Sequence, residues 1–206
     1  MAGPASPAET VAELKKKLRA QARPAALSGM ACHHPVLDAH LPGGWPRGEL
    51  TEILLPFMGL SEMRLLAPAL KELTRQQQWI ALVGPPHPVH AAALSQWDWH
   101  LSQVLIVNTA SADDSLWAME QGLRSGVLSA VLCWLAEPTD RQLRRLQLAA
   151  ERGGCAGIVF RPLRCRQQRS PAALRMALEP NPDGRLRCTL LKHRGADPRL
   201  GTPFSL

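Results

Sequence analysis

Residues 51–63, Thr51-Glu-Ile-Leu-Leu-Pro-Phe-Met-Gly-Leu-Ser-Glu-Met63, decide how this chain is to be read. They follow a Gly-rich turn, Gly43-Gly-Trp-Pro-Arg-Gly48, open on a short apolar strand, and run into a helical pattern from near Leu60. That is the strand–loop–helix setting of a phosphate-binding loop. Such a loop needs two glycines so that backbone N–H groups can wrap the phosphates, a Lys for their charge, and Ser or Thr for magnesium. On that pattern the glycine positions hold Leu55 and Leu60, the lysine position Ser61 and the hydroxyl position Glu62. A carboxylate there would repel a triphosphate. The segment is therefore expected to be core, with Met58, Leu60 and Met63 filling the volume a nucleotide would take, and no nucleotide pocket is expected.

Outward from this segment, apolar strands and amphipathic helices alternate. Leu50–Leu55, Trp79–Val83, Gln103–Val107, Ala130–Trp134 and Gly157–Phe160 read as strands. Ser61–Gln77, Val89–Leu94, Ala112–Ser125 and a helix from the capping box Thr139-Asp-Arg-Gln142 to Arg152 read as the helices between them. Near-continuous apolar strands in this order predict an α/β domain with a mainly parallel sheet between helices. Ala172–Glu179 and Leu186–His193 flank Asn181-Pro-Asp-Gly184, which predicts a C-terminal β-hairpin. Residues 1–24 read as a flexible tail and a basic amphipathic helix, 25–194 as one domain, and 195–206 as an irregular tail. The helix places Val11, Leu14 and Leu18 on one stripe among Lys15, Lys16, Lys17 and Arg19, to pack on its own domain or on a partner.

The hydrophobic fraction of 46% fits a globular chain, and 18 prolines with no tyrosine fit many loops. No apolar run reaches the roughly 20 residues of a membrane span, and the N-terminus lacks the basic-then-apolar order of a signal peptide. A cytoplasmic location and no membrane partner are the expectations. The five cysteines form no CxxC pair, so reduced, buried thiols are expected. Cys32-His33-His34 has no second ligand pair at suitable spacing, so no metal is expected.

A net charge of +7, with 19 of 24 basic residues being Arg, favours polyanionic partners. Arg161, Arg164, Arg166 and Arg169 crowd a segment read as a loop, where they could meet phosphates of single-stranded DNA or an acidic protein. Lys192 and Arg194 mark a second basic end. Trp97 and Trp99 flank Asp98, and burial at the domain edge is their more frequent fate.

The order of elements resembles the RecA core from about Leu27 to Pro198. More closely, the chain resembles the ImuA family, RecA- and SulA-related accessory proteins of bacterial translesion synthesis. The carrying residues are Leu41-Pro-Gly-Gly-Trp-Pro46, Leu50-Thr-Glu-Ile-Leu-Leu-Pro56, Leu123-Arg-Ser-Gly126, Ala130-Val-Leu-Cys-Trp134, Leu143-Arg-Arg-Leu-Gln147, Phe160-Arg-Pro162 and Ser170-Pro-Ala-Ala-Leu-Arg175. Against RecA-type ATPases, the magnesium-binding aspartate falls on Trp134 and the water-activating glutamate near Pro86. The resemblance thus implies a degenerate, non-catalytic RecA-like scaffold with no cofactor. It implies an SOS-induced subunit of a translesion complex with ImuB, an error-prone replicative-type DNA polymerase and RecA as partners. The alternative is a SulA-type division inhibitor binding FtsZ, which the chain resembles from Gly48 to Leu163, including Gly126, Trp134 and Arg161-Pro162. Positions where that inhibitor offers basic or aromatic contacts hold Gln78, Ala93 and Gln103, which ranks FtsZ second.

Overall fold

The computed structural model describes residues 29–59, 62–194 and 200–206. The expected partner helix with Val11, Leu14 and Leu18 lies outside them, as do Leu60 and Ser61. In chain order the elements are α1 (Pro35–His40), β1 (Leu50–Leu55), α2 (Glu62–Arg75), β2 (Trp79–Val83), α3 (Ala91–Gln96), β3 (Val104–Val107), α4 (Ala112–Arg124), β4 (Leu128–Trp134), α5 (Asp140–Gly153), β5 (Ala156–Pro162), β6 (Leu174–Pro180), β7 (Leu186–His193) and β8 (Pro203–Ser205). Short 3-10 turns cover Leu101–Gln103 and Leu163–Gln167.

The strands form one eight-stranded sheet in the order β3-β2-β4-β5-β1-β6-β7-β8. The first six in that order pair in parallel, and β7 and β8 extend the sheet antiparallel. The parallel strands are buried on both faces, and alternate residues serve different cores. Ile53, Ile80, Leu82, Leu132 and Ile158 pack with Leu66 and Leu70 of α2 and Leu37 of α1. Leu50, Ala81, Val83, Val131 and Val159 pack with Met119 and Leu123 of α4 and Leu143 and Leu146 of α5. The expected α/β architecture and the hairpin are both present.

Local sequence fixes the helix ends. Ser111 Oγ accepts from the Asp114 N–H at 3.1 Å and starts α4. The capping box of α5 forms, with Thr139 Oγ1 accepting from the Gln142 N–H and Gln142 Oε1 from the Thr139 N–H. Gly154, at φ 61°, closes α5 in the left-handed conformation. At Gly153 a methyl group would stand 1.9 Å from the Leu123 carbonyl oxygen, so a side chain would force α5 away from α4. Gln147 of α5 is buried yet satisfied: Oε1 accepts from the Leu50 N–H at 2.9 Å and Nε2 donates to Glu49 and Glu151.

Two elements depart from the sequence reading. Pro35–His40 forms an unanticipated helix, capped by His34 Nδ1. Within the segment expected to be irregular, Pro203–Ser205 pairs with β7, and Phe204 stacks on His40 at 3.7 Å. A three-residue strand bears no period to read; it forms because β7 leaves an edge to pair and His40 a ring to cover.

All five cysteines are free and buried. Burial pushes the thiols of Cys32, Cys133, Cys155 and Cys188 up to about 12, with Asp38 adding to the shift at Cys32. The folded state therefore holds these protons more tightly than the unfolded chain. Their contribution to stability is complete below the ordinary value of 9.0 and is lost as pH climbs towards about 12. In an aromatic-disulfide assay at about pH 8, where an exposed thiol is partly ionised, no cysteine of the native protein should react, and all five should react in denaturant. A fast-reacting thiol in the native protein would contradict this burial.

Candidate interaction site

At the carboxyl end of β1 the chain turns through residues 56–59, with Gly59 at φ 88°, and reaches α2 at Glu62. Glu62 is 3% exposed. Its Oε1 accepts from the Gly59 N–H at 3.1 Å and from the Trp134 indole N–H at 3.1 Å. A helix N-terminus favours negative charge, and here the protein supplies that charge itself. Trp134, at the end of β4, also stacks on Phe160 with ring centroids 4.8 Å apart. The positions compared with a magnesium-binding hydroxyl and an aspartate thus bond to each other.

Packing here is incomplete. Thr51–Leu55 is buried, and Met58 and Met63 pack partly buried against the core, as expected. The turn is not core: Pro56 and Gly59 are exposed and Phe57 is 56% exposed. A cleft of about 260 Å³ remains beside it, lined by Met63, Leu82, Leu94, Trp97 and Trp134, the Pro85–Val89 run, and Glu62. The sequence could not show this cleft, because its far wall comes from residues 82–97, which the fold brings across the sheet.

The arginine segment is not one basic loop. Arg161 belongs to β5, is 1% exposed, and donates through Nη1 to Glu52 Oε1 at 2.7 Å. Arg175 of β6 donates through Nε to Glu52 Oε2 at 2.6 Å and through Nη2 to the Cys165 carbonyl at 3.1 Å. Arg161 Nη2 reaches Gln168 Oε1 at 2.7 Å. Glu52 of β1 thus joins three neighbouring strands. Arg161 cannot touch DNA or a partner, which corrects its assignment. Arg164, Arg166 and Arg169 are exposed, Arg164 pairing with Glu137 at 2.7 Å and Arg166 reaching Glu179 at 4.0 Å. Cys165 between them is buried, so these arginines stand on a packed turn.

Lys192 donates to the Ser170 carbonyl at 2.9 Å, and burial, then Arg194 and Arg175, hold its ammonium below the usual lysine value. Arg194 pairs with Glu49 at 2.5 Å. These two residues tie the end of β7 to the segment before β6 and to the residue before β1. Trp99 is buried and donates to the Ala67 carbonyl at 3.1 Å, while Asp98 pairs with Lys71 at 2.7 Å. Of the positions compared with inhibitor contacts, Gln103 is buried, Gln78 half-buried and Ala93 exposed. Among the described residues no group of three His, Cys, Asp or Glu side chains could hold a metal ion, and no helix is long and apolar enough to cross a membrane. The sequence reading missed Glu52 and Arg175, although a charge inside an apolar strand was the available signal.

A family model described as "Cell division inhibitor SulA" matches residues 54–157, half of the chain. The proteins named cell division inhibitor SulA from Yersinia pestis (strain Pestoides F) and Yersinia pseudotuberculosis serotype I (strain IP32953) are each 34% identical to it over 100 residues, or 48% of this chain. The chain spans 60% of the length of these relatives. The crystal structure of SulA from Pseudomonas aeruginosa is similar over 54% of this chain and 97% of that chain, at 23% identity and a TM-score of 0.47. The family match and the Yersinia relatives overturn the reading as a translesion accessory subunit and favour the class ranked second. They lend no support to ImuB or a polymerase as partners. Part of the reason is physical: Trp134 and Arg161, shared by both resemblances, hold the core together and do not discriminate between surfaces.

Removing one member of a buried ion pair leaves the rest charged and unpaired, at a cost of about 3–5 kcal/mol. Glu52→Ala should therefore lose most of the folding stability in a denaturant titration, whereas Arg164→Ala should leave the midpoint unchanged. Equal stability of Glu52→Ala and the parent would refute the structural role of the cluster.

Proposed function

The chain belongs to the SulA family, and from that premise we propose that it arrests cell division by binding FtsZ, without catalysing a reaction of its own. The match over residues 54–157 carries this reading. Because the chain spans 60% of its relatives' length, the activity comes to it as a proposal. Expression as part of the SOS response fits the same reading. The non-catalytic part is supported by Glu62 and Trp134, which engage each other where an ATPase would need free oxygen ligands for magnesium. We carry the RecA-type description of the core on the same terms, supported by the strand–helix alternation and the hairpin that follows it.

The contact surface is proposed at the turn with Phe57 and the neighbouring helix α3. Gln103 is buried and unable to reach a partner, whereas Phe57 and Ala93 are exposed. Gly59 and Ala93 line one cleft, which places the turn and α3 side by side. An exposed aromatic beside a concave surface is the residue type that anchors protein interfaces.

Sedimentation of FtsZ polymers formed with GTP tests this. The protein should abolish sedimentable polymer near equimolar ratio, and Phe57→Ala should raise the required concentration at least about tenfold while the melting temperature holds. Polymer unaffected by a large excess of the protein would reject the reading. Full activity of Phe57→Ala would reject the surface alone.

A further inference from the structure

The cleft beside Glu62 has a chemistry that protein binding leaves unused. Its walls are mostly apolar, with Met63, Leu82, Leu94, Trp97 and Trp134 beside Pro85, Pro86 and Pro88, and His87 and His90 also line it. At about 260 Å³ it lies just under the range of about 300–1,000 Å³ usual for small-molecule sites. It stands at the carboxyl ends of β2 and β4, where open α/β sheets bind ligands. Glu62 lines it, and only one of its carboxylate oxygens is engaged. Oε2 is buried and meets no donor among the described residues. An unpaired carboxylate oxygen in an apolar surround is costly, and a charged donor that fits the cleft removes that cost.

We propose that this cleft is a binding site for a small organic cation with a flat apolar body, an aryl amidinium or guanidinium. The charged fork donates to the carboxylate of Glu62, which lines the cleft. The body lies among Leu82, Leu94 and Met63, with Trp97 and Trp134 within reach for cation–π attraction. The site thereby selects the opposite charge from the phosphate its position in the sheet would suggest. Nothing here depends on FtsZ.

Benzamidine is the probe and benzyl alcohol its neutral counterpart, followed by NMR on the uniformly nitrogen-15-labelled full chain. The Trp134 indole N–H bonds the same carboxylate, so its resonance should shift saturably with benzamidine, at a Kd of about 1 mM or tighter. Benzyl alcohol should bind at least about tenfold more weakly. Glu62→Gln keeps an oxygen for Gly59 and Trp134 and should lose the preference for the cation. Ala93→Trp, which fills the cleft and leaves Glu62 intact, should abolish both shifts and covers the case in which Glu62→Gln does not fold. Absence of saturable benzamidine binding, equal affinity for the two probes, or binding unchanged in Ala93→Trp would each overturn the proposal.

Discussion

Glu52 lies on β1, near the centre of the sheet, with one carboxylate oxygen on Arg161 of β5 and the other on Arg175 of β6. The three residues are at most 9% exposed, so the charges rely on one another rather than on water. Such a cluster is weak evidence for extra stability, since apolar residues of the same shape can do as well. It is strong evidence for registration. Slipping β6 by one residue along β1 would turn Arg175 to the opposite face and strand Glu52. The parallel pairing of β5, β1 and β6 is fixed at this place, and β6 in turn carries the antiparallel extension; the 3-10 turn at Leu163–Gln167 is held there through the Cys165 carbonyl.

The other end of β1 shows the same economy with charge. Glu62 supplies the anion at the start of α2 and engages the indole that ends β4. One carboxylate thereby joins the turn after β1, the first turn of α2 and the tip of β4. The surface around this junction, with Phe57 exposed and Gly59 on the wall of the cleft, is the proposed contact surface. Membership in the SulA family gives that surface a proposed target.

Much of the fold was legible because it rests on local chemistry. Thr139 and Gln142 announce α5, Asn181-Pro-Asp-Gly184 announces the hairpin, and buried apolar runs mark the parallel strands. What escaped depends on distant partners. Phe204 has meaning only once His40 is beside it, and the cleft exists only once residues 82–97 face Glu62. In the sequence Arg161 stands with Arg164, Arg166 and Arg169 and reads as part of a basic loop. The residue that decides its role, Glu52, lies 109 positions away. The functional class is hard to read for a related reason: residues shared by the two resemblances, such as Trp134 and Arg161, are largely those that build the core.

On the proposed reading, the protein's own carboxylate and indole, bonded to each other, take the place of a nucleotide's phosphates and metal and leave the fold to act by contact. Calorimetric titration of the full chain with magnesium ATP tests it most directly. The account predicts no saturable heat with ATP up to millimolar concentration. Saturable binding with a Kd of about 1 μM, lost on replacing Glu62, would contradict it.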